Sequence, residues 1–152
     1  MERIASFQVD HNKLVPGMYL SRRDGKVTTL DLRFKKPNTG DLLSNAEMHS
    51  VEHIIATLLR NGRCKDAIVY FGPMGCQTGF YLLFDGEQLS DAEAVELVKE
   101  TFAAGAAFTG EMPGKSAAEC GNYINLDVEL AKEQCALYSS LIHDWTEAQL
   151  AY

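Results

Sequence analysis

The sequence predicts an α+β fold: a mainly antiparallel β-sheet with helices packed on one face and a metal site carried on a helix. Three observations lead there. Strand-like and helix-like stretches are mixed without strict βαβ alternation, and some strand connections are too short for the crossover that parallel pairing needs. The helix with the clearest apolar stripe also carries two histidines four residues apart, His49 and His53.

The elements follow in chain order. KVTTLDLRF (26–34) alternates, with Leu30, Leu32 and Phe34 on one face and Thr29, Asp31 and Arg33 on the other, the pattern of a half-buried strand. Ser44 with Glu47 reads as a capping box opening a helix whose stripe is Met48, Val51, Ile54, Ile55, Leu58 and Leu59. Asn61-Gly62 predicts its end. Two further strands are expected at 66–71 and 80–84, joined by the loop GPMGCQTG (72–79). Ser90 with Glu93 opens a second helix that carries Val95, Leu97, Val98 and Phe102 into Gly105. A third helix, roughly 127–142, spaces Val128, Ala131, Cys135, Tyr138 and Leu141 helically, and the tail HDWTEAQLAY predicts one more short helix.

With 152 residues, 46% hydrophobic and 23% charged, the chain has the content of one cored domain, 1–152. No repeat or linker suggests a boundary. Fourteen basic against 21 acidic residues give a net charge of −7, which repels phosphate backbones and argues against a nucleic-acid partner. No apolar run approaches the roughly 18 residues of a membrane span. The start, MERIASFQVDHNKL, lacks a basic head before an apolar stretch, so a cytoplasmic location is expected. There the four cysteines, Cys64, Cys76, Cys120 and Cys135, would stay reduced and serve as ligands, catalysts or core. Helices on one sheet face leave the other to be covered, and a second copy of the chain is the expected cover.

Positions i and i+4 of a helix lie one above the other, so His49 and His53 can turn ring nitrogens toward one ion with Glu52 beside it, the pattern H-x-x-E-H. A catalytic divalent metal takes a third protein ligand and keeps one position open. Cys120, Cys76, His11, His143 or a distant carboxylate could supply it; Cys120 stands in the turn-forming AECGNY, whereas Cys135 fits the last helix's apolar stripe.

Taken together, SFQVDHN (6–12), DLRFKKPN (31–38), HSVEH (49–53), GPMGCQTGFY (72–81) and AECGNY (118–123) resemble the S-ribosylhomocysteine lyases, in that family's order. The resemblance implies metal ligands His49, His53 and Cys120, a catalytic cysteine at Cys76 and a catalytic glutamate at Glu52. It implies ribose contacts from Ser6, His11 and Arg33 of the partner subunit, in a homodimer with active sites at its interface, and an Arg60 near the amino-acid end of the substrate. It further implies iron(II), with zinc or cobalt able to substitute. Tyr70 departs from the family pattern, where some relatives have an aspartate before PMGC, and this puts the contacts to the homocysteine end in question.

The implied reaction cleaves the thioether of S-ribosylhomocysteine to homocysteine and 4,5-dihydroxy-2,3-pentanedione, the autoinducer-2 precursor. A thioether carbon–sulfur bond breaks readily only beside a carbonyl, so the carbonyl migrates along the sugar before homocysteine is eliminated. Such steps need a Lewis acid on oxygen and proton carriers on carbon and oxygen, roles that the metal, Cys76 and Glu52 would fill. Two alternatives compete: an inverzincin-type peptidase, which takes a carboxylate as third ligand on a far larger chain, and a non-catalytic zinc domain, which would close its coordination sphere with a fourth Cys or His.

Overall fold

Side chains alternate across a strand, and β2 (Val27–Arg33) turns Leu30 and Leu32 into the core. Its neighbours are β1 (Gly17–Asp24) and β4 (Gly79–Asp85), with β3 (Ile68–Pro73) beyond β4. All pairings are antiparallel, in the order β1-β2-β4-β3. This structure, a computed structural model, describes residues 1–152.

The sequence pattern did not show β1. Its register shifts between Leu20 and Arg22, so the alternation breaks at Ser21, and Arg22, Arg23 and Asp24 end it in exposed charge. The visible signal was Asp24-Gly25, two residues before β2, a hairpin turn.

Three helices cover the core face: α2 (Asn45–Asn61), α3 (Asp91–Ala106) and α4 (Val128–Leu141), while α1 is a single turn, Ala5–Gln8. Ser44 caps α2 by accepting from the Glu47 N–H, but the reciprocal half of the expected box is absent; at α3 both halves are present. Asp127 caps α4, accepting from Glu129 and Leu130. The tail forms a short 3-10 turn, Glu147–Gln149. Phe71, Phe80 and Phe84 of the sheet meet Ile54, Ile55, Val98 and Phe102 of the helices. Phe34 stacks on Tyr138 at 4.1 Å between ring centres. Cys135 is fully buried here, and burial pushes its thiol up to about 12, as suits a core residue.

The second sheet face departs from the half-buried pattern. Alternation predicts Asp31 and Arg33 on its polar side, yet they are 1% and 2% exposed. They are sheltered because Arg33 grips Asp31 with two nitrogens, Nε at 3.1 Å and Nη2 at 2.6 Å, and the Tyr152 hydroxyl donates to the same carboxylate at 2.7 Å. Tyr152 in turn stacks on Tyr19. A buried charge survives only when paired and hydrogen-bonded in this way. Along this face Tyr19, Asp31, Tyr81 and Gly72 stand in one row across four strands.

Candidate metal centre and thiol pocket

Helical spacing puts His49 and His53 of α2 on one face, their rings edge to face at 4.7 Å. Cys120 arrives from a turn closed by its own N–H to the Ser116 carbonyl, which brings its sulfur to 3.3 Å from Nε2 of His49. The donor atoms of His49, His53 and Cys120 all lie within 4.8 Å of one another.

The donor chemistry fits one divalent ion. Nδ1 of His49 lies 2.7 Å from Oδ1 of Asn125, whose own amide nitrogen donates to Asn45, and Nδ1 of His53 lies 2.8 Å from the Pro113 carbonyl. Both partners are acceptors, so each Nδ1 keeps its proton and each Nε2 offers a lone pair. Gly114, at φ +70°, lets the 113–114 loop pass so close to His53 that a Cβ there would stand 3.0 Å from Nδ1. No fourth histidine, cysteine or acidic group joins the three. Such a set leaves a coordination position open, as a catalytic site does.

Glu52 lines two clefts beside this centre. One holds Asn45, Met48, His49, Pro73 and Asn122, and the other His53, Ala56, Thr57, Pro113 and Gly114.

Pro73, the last residue of β3, also walls a separate pocket of about 290 Å³ that contains Ser6, His11, Arg33, Cys76 and Tyr81. The 72–79 loop shapes it. Gln77 takes a left-handed backbone, φ +63°, and is clamped to Leu43 by two hydrogen bonds, its side-chain amide to the Leu43 carbonyl and the Leu43 N–H to its own. Cys76 and Thr78 on either side of that turn come together, Sγ to Oγ1, at 3.1 Å. Nη1 of Arg33 donates to Thr78 Oγ1 at 2.7 Å and stands 3.9 Å from the Cys76 sulfur. Burial acts to lower the pKa of the Arg33 guanidinium, but its fork on Asp31 and that charge outweigh the burial and hold it above its ordinary value. Tyr81 is pushed up by burial and then by Asp31, so its hydroxyl keeps its proton.

The structure therefore gathers eight of the nine expected site residues on the two sides of Pro73. Arg33, Ser6 and His11, expected from a partner subunit, share a pocket with Cys76 of their own chain. Arg60 is outside: it is exposed, on the later part of α2, and donates to the Val69 carbonyl at 2.8 Å. Tyr70, the departure noted above, lays its ring over Gly72, where a Cβ would collide with it. Asn125, Pro113 and Thr78 were not singled out from sequence; the signal for Thr78 was its place two residues after Cys76.

The chain is similar to known proteins over almost all of its length. The family described as S-Ribosylhomocysteinase (LuxS) matches residues 4–149. A protein of Desulfotalea psychrophila named S-ribosylhomocysteine lyase is 47% identical over all of this chain and 99% of its own. Proteins of that name from Finegoldia magna and Clostridium acetobutylicum are 42% and 43% identical over the same shares. Neither a peptidase nor a non-catalytic zinc domain is described by these matches. The chain belongs to the S-ribosylhomocysteinase (LuxS) family of carbon–sulfur lyases.

Proposed function

We propose that this protein is a metal-dependent lyase that cleaves S-ribosylhomocysteine to homocysteine and 4,5-dihydroxy-2,3-pentanedione by carbonyl migration and β-elimination. The observation that carries the reading is the adjacency, across Pro73, of a His-His-Cys donor set with Glu52 and a pocket that holds Cys76 beside Arg33. His49, His53 and Cys120 would hold the ion, iron(II) with zinc or cobalt(II) able to replace it, which when bound supplies a Lewis acid for the sugar oxygens.

The side chains do the rest. Cys76, as a thiolate beside Arg33, takes the proton from the carbon next to the carbonyl and returns it one carbon along, so the carbonyl moves from C1 to C2 to C3. Glu52 moves protons between the sugar oxygens. In the last step the C4 proton is removed, a double bond forms between C4 and C5, and the C5–sulfur pair leaves with sulfur, which takes a proton to give homocysteine. Ser6 and His11 line the same pocket and hold ribose hydroxyls.

The unit is read as one domain, 1–152, acting as a cytoplasmic homodimer with its active sites at the subunit interface. No helix is long and apolar enough to cross a membrane. The dimer reading is supported by the exposed apolar side chains of Val69 and Tyr70 on β3, which a second copy would cover.

The test is direct. Anaerobically purified protein, its iron, zinc and cobalt measured, is incubated with S-ribosylhomocysteine while free thiol is titrated. Thiol should appear with the metal-loaded protein and fall at least about a hundredfold in Cys76→Ala, the scale at which a proton carrier contributes. Thiol release equal in the two proteins would overturn the assignment.

A further inference from the structure

We infer that the hydroxyl of Thr78 donates a hydrogen bond to the sulfur of Cys76 and holds it as an anion in the resting protein, a positioning role that rests on the lyase reading and deepens it.

The argument is one of satisfaction. Thr78 is 3% exposed, so its hydroxyl has no free access to water. A hydroxyl has one hydrogen to give and two lone pairs to receive. One lone pair is taken by Arg33 Nη1 at 2.7 Å. The other side-chain contact of Oγ1 is the Cys76 sulfur at 3.1 Å, the one acceptor within reach of its hydrogen. Turned elsewhere, the hydrogen would be buried without a partner, which costs about 1–3 kcal/mol. The charged donor on the oxygen further polarises the O–H, making it a stronger donor to sulfur.

The direction is imposed from behind. Asp31 fixes two nitrogens of Arg33, so only Nη1 reaches Thr78 and the sulfur. Gln77, clamped to Leu43, fixes the turn that sets Cys76 and Thr78 side by side. Other charged and titratable groups face Cys76 as well: Arg33 with Asp31 behind it from β2, Tyr81 from β4, and His11 from the amino-terminal turn, where its Nδ1 contacts the Val9 carbonyl. His49 and Glu52 lie beyond Pro73. Beside the long contact from Arg33 Nη1, Thr78 is the group in hydrogen-bond contact with the sulfur.

The experiment reads the sulfur without the substrate, so its failure and that of the lyase reading are separable. Metal-loaded Thr78→Val, Thr78→Ser and parent proteins are treated with iodoacetamide, and modification of the Cys76 peptide is followed by mass spectrometry. Valine keeps the shape and removes the hydroxyl; serine keeps the hydroxyl. Near neutral pH, Cys76 in Thr78→Val should be alkylated about tenfold more slowly than in the parent, with Thr78→Ser at the parent rate. At about pH 10, above the ordinary thiol range, all three should converge. Thiol release from S-ribosylhomocysteine should follow the neutral-pH order. An unchanged rate in Thr78→Val, or an equal loss at both pH values, would overturn the inference, the latter because it reports access and not charge. Where Thr78→Val does not fold, Thr78→Ala against Thr78→Ser decides in the same way.

Discussion

Asn125 stands 76 residues from His49 in the chain and 2.7 Å from it in space. Its carboxamide oxygen fixes which nitrogen of the ring carries the proton, and so which one is free for an ion. Asn125→Ala should therefore weaken metal retention by about 10–100-fold, read as the chelator concentration that strips half of the metal, with the fold unchanged. No sequence pattern could have shown this contact. His49 and His53 were legible because helical periodicity is a local rule, and Cys120 because of its turn and its motif. Asn125 ends a 3-10 turn, Tyr123–Asn125, and the Pro113 carbonyl lies in a loop; both are placed by the tertiary path and not by residue type. Asp31 and Arg33 misled for a related reason. Alternation placed them on the polar face, but their mutual pairing and the Tyr152 hydroxyl let them be buried there.

The helix α2 does two structural jobs at its amino-terminal half. Met48, Val51 and Ile55 enter the core, while the next positions around the helix hold the metal donors and Glu52. Between them Ser50, wholly buried, accepts the N–H of Asp127 at 2.9 Å, so the metal helix is tied to the residue that caps α4. Ser50→Ala would orphan that N–H and should lower unfolding stability by about 1–3 kcal/mol, measured by urea denaturation of the metal-free protein. Full stability in that variant would show that water takes the serine's place. The helices α2, α3 and α4 and the strand β2 show in their periodicity to within about two residues, and β3 and β4 as short apolar runs, β3 in spite of a register shift between Ile68 and Tyr70; the single turn α1 has no such signal. The strand β1 was missed because a bulge shifts the phase midway and charge ends it. Its hydrogen bonds to β2 are a long-range reward that no single stretch of sequence displays.

At the scale of the molecule, the antiparallel order β1-β2-β4-β3 is what brings Arg33 and the Cys76 loop together, because β4 pairs with β2 and its Gly79 stands opposite Arg33. Whether Arg33 serves the cysteine of its own chain can be tested through this geometry. Arg33 reaches Cys76 within one chain, so a mixture of Cys76→Ala and Arg33→Ala chains with verified subunit exchange should stay inactive: each pocket would lack one of the pair. Activity appearing in the mixture would mean that the arginine works across the interface instead. The family could be read from the sequence because its motifs are spread from residue 6 to residue 123, but which of them share a chain in space could not. Pro73 has one more consequence. A proline has no N–H, so the ridge between the metal side and the thiol side offers a crossing molecule no backbone donor, only shape. Two small fragments, a chelating group on one side and a thiol-directed group on the other, could thus be joined by a short apolar tether that displaces no hydrogen bond from a Pro73 N–H, and joining them should raise affinity through effective concentration more than through new contacts.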